Sequence, residues 1–246
     1  MLIPVFDTHV HLDQLSDPEG AVQQAREAGL AGIVAVGTDL KSNEKILAYS
    51  RKYPGYVFPA LGYHPWNITV SGIRDNINFL RDHLDQALAL GEVGLDYKVS
   101  VARELQHWIF KDLLELAWTM KKPVILHSRL SHENAFELIR RQTLEKVVFH
   151  WYSGPMDTLK ALLLAGYYIS ATPALSYSPK HREAVAAAPL KQILIETDAP
   201  EVYQGEASSP AQVLKTLAEL SRIKGIEMDQ AALKTTQNAR EFFGIF

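Results

Sequence analysis

The sequence predicts an α/β protein built as a (β/α)8 barrel. Eight short apolar runs alternate with longer segments of helical periodicity along the whole chain. The runs are continuously apolar, as expected for parallel strands that are covered on both faces. The length of 246 residues also suits one such barrel. We therefore expect residues 1–246 to form a single domain, with an open doubly wound sheet as the alternative.

The order of the predicted elements supports this fold class. The eight predicted strands are Ile3–Phe6, Gly32–Val36, Val57–Leu61, Ala87–Val93, Pro123–Leu126, Lys146–Phe149, Tyr167–Ser170 and Ile193–Ile195. The helices predicted between and after them are Glu19–Ala28, Ser42–Lys52, Ile73–Leu84, Arg103–Met120, His132–Arg141, Asp157–Leu164, Lys180–Ala187 and Ala211–Lys224. A final helical pair is predicted at about Asp229–Thr236 and Asn238–Phe243. The segment Glu201–Pro210 is predicted to be a loop, because Gly, Ser and Pro cluster there.

Composition excludes several classes of protein and site. Apolar residues make up 47% of the chain, which is enough for a sizeable core. The absence of cysteine excludes disulfides, thiolate metal sites and a cysteine nucleophile. Any metal must therefore be held by Asp, Glu or some of the nine histidines. The net charge of −3 provides no global basic field for nucleic acid.

We expect a cytoplasmic protein with no membrane association and no obligate protein partner. The stretch Met1–Phe6 has neither the basic region nor the long apolar region of a signal peptide. No apolar run approaches the ~20 residues that a membrane-spanning helix needs.

Metal-capable side chains appear where the predicted strands end. In a β/α barrel these ends converge on one face, where active sites form. Six strands thus direct His, Glu or Asp towards one mouth. The segments are Asp7-Thr8-His9-Val10-His11, Gly62-Tyr63-His64-Pro65, Gly91-Glu92-Val93-Gly94-Leu95-Asp96, His127-Ser128-Arg129, His150-Trp151-Tyr152-Ser153-Gly154 and Glu196-Thr197-Asp198-Ala199-Pro200.

The spacing of His9 and His11 predicts a metal site inside the barrel. Alternate residues of a strand share one face, so both imidazoles point inwards. Imidazole pairs of this kind suit zinc, manganese, iron and similar ions. A pair of hydrogen-bonded barrel histidines is the structural alternative.

Four further residues complete the predicted ligand set. His127 and His150 follow two adjacent apolar strands, which indicates a second metal position. Glu92 lies between the two histidine pairs in barrel order and could bridge them. Asp198 ends the eighth strand, beside the first, where it could bind a metal and accept a proton. The alternatives are satisfied core histidines, a salt-bridged acid at residue 92 and a helix N-cap at residue 198.

This ligand set predicts hydrolysis. Two cations can depress the pKa of a shared water towards about 7 and clamp a phosphoryl or acyl oxygen. Glu92 and Asp198 are the predicted catalytic carboxylates, with Asp198 as the general base. Arg129 and His64 are the predicted substrate-binding residues, since a guanidinium can fork onto a phosphate or carboxylate. The alternatives are a salt bridge for Arg129, at the surface or behind a ligand, and a structural role for His64.

Other residues near the strand ends have less specific predicted roles. Asp96 could hydrogen-bond a ligating histidine or cap a loop. The aromatic residues Tyr63, Trp66, Trp151 and Tyr152 could stack on a base or simply pack.

At these motifs the chain resembles the TatD family of metal-dependent deoxyribonucleases, within the amidohydrolase superfamily. The six segments occur in family order between residues 7 and 200. The segment Asn238-Ala239-Arg240-Glu241-Phe242-Phe243 resembles the closing helix of the family.

The resemblance implies a two-metal site that uses Mg, Mn or Zn. His9, His11, Glu92 and Asp198 would hold one ion, and Glu92, His127 and His150 the other. It also implies DNA as substrate, commonly with 3′-to-5′ exonuclease activity. The chain departs from the family pattern at Trp151, where a small residue is usual. Its segment Glu201–Pro210 has two glutamates and no Arg or Lys.

Three functions are compatible with these observations. The first is hydrolysis of DNA phosphodiester bonds. The second is hydrolysis of a small ester, amide or lactone, as in other amidohydrolases. The third is a metal-binding barrel without catalysis.

Overall fold

Eight parallel strands with intervening helices make up the computed structural model, which describes residues 3–245. Met1 and Leu2, which belong to the stretch used for the targeting prediction, lie outside the described residues, as does Phe246. The strands are β1 Phe6–Val10, β2 Gly32–Val36, β3 Val57–Leu61, β4 Ala89–Asp96, β5 Val124–Arg129, β6 Val147–Phe149, β7 Tyr168–Ala171 and β8 Ile193–Ile195. The helices are α1 Pro18–Glu27, α2 Leu40–Lys52, α3 Ile73–His83, α4 Arg103–Thr119, α5 His132–Gln142, α6 Met156–Leu164, α7 Pro179–Ala187, α8 Val213–Lys224 and α9 Met228–Phe243.

The sheet is a barrel in sequential strand order, from β1 to β8. Backbone hydrogen bonds between β1 and the segment after β8 bring the two edges together. His11 N donates to Ala199 O at 2.8 Å, and Asp198 N donates to His9 O at 3.0 Å. A parallel bridge between Val10 and Ala199 lies at the same place. The predicted (β/α)8, or TIM, barrel is therefore confirmed.

Two apolar clusters hold the barrel. The larger one lies between strands and helices, and it contains strand residues such as Ile33, Leu126 and Ile195. The smaller cluster contains strand residues that point to the opposite face of the sheet, together with the end of α9. This places the cluster in the barrel interior. It contains Phe6, Val34, Val36, Ala60, Ala89, Ile125, Val148, Leu194, Ala239, Phe242 and Phe243. Helix α9 therefore closes the end of the barrel opposite the strand termini that carry the polar motifs.

Several helices begin with a residue whose side chain caps the helix N-terminus. Asp39 accepts a hydrogen bond from Ser42 N, and the Ser42 hydroxyl accepts one from Asp39 N, which forms a capping box for α2. Ser178 caps α7, whose first residue is Pro179. Helix α8 ends at Gly225, which has the left-handed backbone that favours glycine.

The first strand differs from its prediction. It runs from Phe6 to Val10 rather than from Ile3 to Phe6, so His9 lies within the strand. The apolar pattern misplaced this strand because two of its polar residues, Asp7 and Thr8, are buried and hydrogen-bonded. Thr8 Oγ1 donates to Ile195 O at 3.0 Å, and Asp7 accepts from Thr197 N at 2.9 Å.

The C-terminal part also corrects two predictions. The predicted helical pair is one continuous helix, α9, whose central polar residues are satisfied by the chain beneath it. Thr236 Oγ1 donates to Pro4 O at 2.8 Å, and Asn238 Nδ2 donates to Ile193 O at 2.8 Å. The predicted loop Glu201–Pro210 contains a short antiparallel hairpin of β9 Val202–Tyr203 and β10 Glu206–Ala207. Among residues 3–245, no helix combines the length and apolar character that crossing a membrane requires.

His181, on α7, connects two loops at the mouth of the barrel. Its Nδ1 donates to Tyr152 O at 2.8 Å, and its Nε2 accepts from Thr172 N at 3.1 Å. The second bond needs a neutral ring, because a protonated Nε2 cannot accept. Burial of the ring lowers the pKa of His181 from 6.5 to about 4.

We expect this histidine to make the fold sensitive to mild acid. Since the unfolded chain binds the proton more readily, stability is lost as pH falls from about 6.5 towards 4, by about 3 kcal/mol for this group. The variant His181→Gln should be destabilised at pH 7.5, and its deficit relative to the parent should shrink towards pH 4.5. Denaturant unfolding across this range measures the effect, with His83→Gln, at a partly exposed helical histidine, as the control. A deficit that is constant with pH would contradict this role.

Candidate metal centre

β1 brings two histidines together at the mouth of the barrel. His9 is fully buried and His11 is partly buried. Their Nε2 atoms lie 3.2 Å apart, and His11 Nδ1 donates to Val36 O at 3.2 Å. Because that bond places a proton on Nδ1 of His11, its Nε2 lone pair is directed into the site. Both rings thus point into the barrel, as the spacing of the two residues predicts.

Asp7 connects this strand to the segment after β8. Its buried carboxylate accepts from His9 N at 3.4 Å and from Thr197 N at 2.9 Å. Burial raises the pKa of Asp7 well above its usual range, although the hydrogen bonds from Thr197 oppose this rise. The contact ties the histidine strand to the segment that carries Asp198.

Glu92, in β4, lies at the centre of the cluster. Its Oε2 is 3.4 Å from His9 Nε2 and 3.5 Å from His11 Nε2. Its Oε1 is 2.8 Å from His127 Nδ1 and 3.4 Å from His150 Nε2. The two oxygens of one carboxylate therefore face two different pairs of histidines.

Two glycines allow the neighbouring strands to approach the ligand-bearing positions. A Cβ at Gly62 would lie 2.4 Å from Glu92 N, and a Cβ at Gly94 would lie 2.0 Å from His127 O. Both distances are far below van der Waals contact, so a larger residue would displace the backbone. The glycines in these two motifs thus set the positions of Glu92 and His127.

The cluster strongly favours the ionised form of Glu92. Burial alone would raise the pKa of this carboxyl, but His64, His150 and His9 outweigh it and hold the pKa well below its usual range. Conversely, Glu92, Glu196 and Asp198 raise the pKa of His150 to about 10 against the effect of burial. Negative charge at the centre thus attracts positive charge, whether carried by protons or by cations.

His127 and His150 are each backed by a second carboxylate. His127 Nε2 is 3.1 Å from Asp96 Oδ2, on the side of the ring away from Glu92. His150 Nδ1 is 2.9 Å from Glu196 Oε1. Asp96 also accepts a hydrogen bond from Lys98 N at 2.7 Å, so it both contacts a histidine and caps a loop, the two roles predicted as alternatives. Glu196 is a contact that the sequence did not predict.

Asp198 completes the first group of ligand atoms. Its Oδ1 lies 3.5 Å from His9 Nε2 and 3.4 Å from His11 Nε2. Its backbone is left-handed, with φ of 53°, a conformation that costs a non-glycine residue about 1 kcal/mol or more. Burial disfavours its charge, but His150, His11 and His9 lower its pKa below the usual value. Asp198 is therefore a strained, ionised carboxylate at the centre of the mouth.

His64 also faces the cluster, but with the opposite arrangement of protons. Its Nδ1 accepts from Trp66 N at 3.1 Å, so the neutral ring carries its proton on Nε2. That Nε2 lies 3.5 Å from Glu92 Oε1. Burial lowers the pKa of His64 to about 4, which keeps the ring neutral at pH 7. His64 is thus placed as a donor towards the site.

A cavity of about 710 Å³ opens above these residues. Arg129 is exposed at its wall, and Trp66, Trp151 and Tyr177 also line it, with Glu201 of the last loop. Of the aromatic residues considered for stacking, only Trp66 and Trp151 reach the cavity. Tyr63 and Tyr152 are fully buried and pack instead.

The donor set fits divalent cations. Among the described residues, three groups of side chains each bring three nitrogen or oxygen atoms within 4.8 Å of one another. They are His9 with His150 and Asp198, His9 with His11 and Glu92, and His64 with Glu92 and His127. In the second group, two imidazole nitrogens and one carboxylate oxygen lie 3.2 to 3.5 Å apart, an arrangement that a bound cation would satisfy. The protonated Nε2 of His64 makes the third group the poorest fit.

Strand parity could have identified the missed contact from the sequence. In β8, Leu194 points into the barrel, so Glu196 lies on the same inward face two residues later. In β7, Ser170 has the parity of Tyr168, which packs against the interior cluster. Inward polar residues at the mouth of the barrel belong to the site even where they are not typical metal ligands.

Comparisons with known proteins agree with this geometry. The model of the family described as TatD related DNase matches residues 6–244. Human deoxyribonuclease TATDN3 is 28% identical over 260 residues, which cover 98% of this chain and 95% of that protein. The metal-dependent hydrolase YjjV of Escherichia coli, described as uncharacterised, is 31% identical and covers 96% and 97% of the two chains.

Solved structures show the same architecture. The crystal structure of YjjV, a TatD homologue from Escherichia coli, superposes with a TM-score of 0.90 over the full length of both chains, at 28% identity. A TatD family hydrolase from Entamoeba histolytica has a TM-score of 0.87 at 18% identity, which supports the fold alone. A family model that spans nearly the whole chain and a barrel that superposes end to end lead to one assignment: this chain belongs to the TatD-related DNase family of metal-dependent hydrolases.

Proposed function

We propose that this hydrolase cleaves DNA phosphodiester bonds from the 3′ end, by attack of an activated water. The observation that carries the proposal is the position of Glu92, whose two oxygens face two separate histidine pairs. A shared carboxylate of this kind is suited to hold two cations close together, as in sites that act on phosphoryl groups. The name of the human relative, a deoxyribonuclease, supports DNA as the substrate.

In this proposal, His9, His11, Glu92 and Asp198 hold one divalent ion, and Glu92, His127 and His150 hold the second. Mg, Mn and Zn all remain candidates, because nitrogen and oxygen ligands accept each of them. Cations bound there would lower the pKa of water and polarise a phosphoryl oxygen. Each proposed ligand atom lies within 3.5 Å of another member of its group.

Asp198 acts as the general base. Its ionised carboxylate accepts a proton from the water as the oxygen of that water bonds to phosphorus. The bond between phosphorus and the departing sugar oxygen breaks, and that oxygen takes up a proton from the solvent, to which Asp198 later returns its own. The lowered pKa of Asp198 keeps it ready to accept a proton at neutral pH.

His64 and Arg129 bind the substrate. His64 presents an N–H into the site, because the backbone of Trp66 occupies its other nitrogen. It therefore donates to an oxygen of the scissile phosphate and is not a metal ligand. Arg129 is exposed at the cavity wall and forms no ion pair within residues 3–245, so its guanidinium is free to bind a phosphate.

One observation favours a second candidate function, the hydrolysis of a small ester, amide or lactone. Glu201 lines the cavity, and both burial and the neighbouring Asp198 raise its pKa. An acidic group there disfavours a polyanion more than it disfavours a small neutral substrate. A barrel that binds metal without catalysis is the third possibility. The single domain over 1–246, the cytoplasmic location and the lack of an obligate partner stay predictions.

We expect metal-supplemented protein to shorten a single-stranded oligonucleotide labelled at its 5′ end. The products should form a ladder from the 3′ end, and a chelator should abolish them, because the proposed ligand set has no function without cations. Bis-p-nitrophenyl phosphate and a simple aryl ester are measured in parallel with Mg, Mn and Zn. Cleavage of the ester alone would move the function to the second candidate. Inactivity on all three substrates with metal bound would favour the third.

Asp198→Asn should lower hydrolysis at least about 100-fold, because the amide cannot accept the proton. The isosteric change should leave the thermal unfolding midpoint close to that of the parent. Steady-state kinetics and thermal unfolding measure the two effects. Asp157→Asn is the matched control, since the side chain of Asp157 is 97% exposed. Full activity in Asp198→Asn would contradict the assignment of the general base.

His64→Ala should lower kcat/KM roughly 100-fold while the bound metal stays unchanged, since one donor to the phosphate is lost. His64→Gln should recover part of the activity through its amide N–H. His127→Ala is the comparison, because it should lose metal. Elemental analysis of dialysed protein gives the metal content. Loss of one equivalent of metal in His64→Ala would identify His64 as a ligand instead of a donor.

A further inference from the structure

We propose that Glu196, together with Ser170, is a positioning residue that fixes the proton of His150 on Nδ1 and leaves Nε2 free to bind metal. This inference rests on the proposed metal-dependent function and deepens it. It concerns a buried carboxylate outside the predicted ligand set.

Glu196 is enclosed at the end of β8. Its side chain is 2% exposed, and its Oε1 lies 2.9 Å from His150 Nδ1. Its backbone oxygen accepts a hydrogen bond from Thr216 Oγ1 of α8 at 3.2 Å, which holds the residue against the helix layer. A carboxylate in this setting needs donors, because an unpaired buried charge is strongly unfavourable.

Ser170 settles the direction of the hydrogen bonds. Trp151 N donates to Ser170 Oγ at 2.8 Å, so the hydroxyl can use its own proton elsewhere. Ser170 Oγ donates that proton to Glu196 Oε1 at 2.6 Å. The chain of donors therefore runs from the Trp151 backbone through Ser170 to Glu196. The remaining approach to Oε1 is made by the Nδ1–H of His150.

The carboxylate thereby selects one tautomer of His150. With the proton on Nδ1, the lone pair of Nε2 points towards Glu92 Oε1, 3.4 Å away. The other tautomer would set a lone pair of Nδ1 against the carboxylate of Glu196 and point a proton at the place where a cation would lie. A carboxylate behind a histidine also increases the basicity of the ligating nitrogen.

His127 has the same arrangement with the roles of its two ring nitrogens exchanged. There Nε2 is bonded to Asp96, and Nδ1 faces Glu92 at 2.8 Å. His64 provides the contrast, because a backbone N–H lies behind it and its proton therefore faces the site. Acceptors thus stand behind the proposed ligands, and a donor stands behind the proposed substrate-binding residue. Glu196 belongs to none of the three groups of converging ligand atoms within residues 3–245, which agrees with a positioning role.

The variant Glu196→Gln tests this role. It keeps the shape of the side chain but removes the charge, so we expect the affinity for the second metal to fall about 10- to 100-fold. Activity should fall at low metal concentration and recover when excess Mn or Zn is added. If Glu196 were itself a catalytic residue, excess metal would not restore the activity. Glu206→Gln, on the exposed β9–β10 hairpin, is the matched control.

Nitrogen NMR of protein labelled with 15N-histidine gives a readout that does not depend on activity. In the parent saturated with zinc, His150 should carry a proton on Nδ1 that is bonded to Glu196, and in Glu196→Gln this resonance should shift or exchange faster. If Glu196→Gln does not fold, Ser170→Ala should show a several-fold loss of metal affinity in the same direction. Parent-like metal affinity and an unchanged His150 resonance would overturn the proposal. Failure of the parent to cleave DNA would refute the proposed substrate while leaving these measurements decisive for Glu196.

Discussion

The hydrogen bonds that join β1 to the segment after β8 determine both the closure of the barrel and the composition of its site. Asp198 N donates to His9 O, and His11 N donates to Ala199 O, so residues nearly 190 positions apart become neighbours. The buried carboxylate of Asp7 strengthens the same junction through Thr197. Because strand ends in a closed barrel cannot move apart independently, this junction fixes the distance between the histidine pair and Asp198.

Charge at the centre of the mouth explains why so many histidines collect there. Glu92 and Asp198 are buried, and burial by itself would neutralise both carboxyls. The surrounding imidazoles reverse that tendency, and the carboxylates in turn raise the pKa of His150 to about 10. The negative charge of the two carboxylates strongly attracts positive charge, either as protons on the histidines or as divalent cations. The same electrostatics therefore favours the binding of cations at the site.

The groups behind the histidines decide what each ring can do. A ring backed by a carboxylate can offer its inward nitrogen to a cation, as His150 and His127 would with metal bound. A ring backed by an N–H directs a proton inwards, as His64 does. Rings of one residue type thereby divide into proposed ligands and a proposed substrate donor. The left-handed backbone of Asp198, next to the closing junction, adds local strain where the proposed base must be held.

Periodicity alone was enough to predict the barrel, the eight strands in order and the convergence of His9, His11, Glu92, His127, His150 and Asp198 at one mouth, because strand ends meet wherever a β/α unit repeats. It misplaced β1 and divided α9, since Asp7, Thr8, Thr236 and Asn238 interrupt the apolar pattern with polar groups whose partners lie far away in the chain. It also assigned no role to Glu196, although strand parity directs that residue inwards, or to His181, whose partners lie in two separate loops. Which nitrogen of each histidine faces the site was decided only by the tertiary structure, because a tautomer depends on the hydrogen-bond partner behind the ring, and folding alone brings that partner into place.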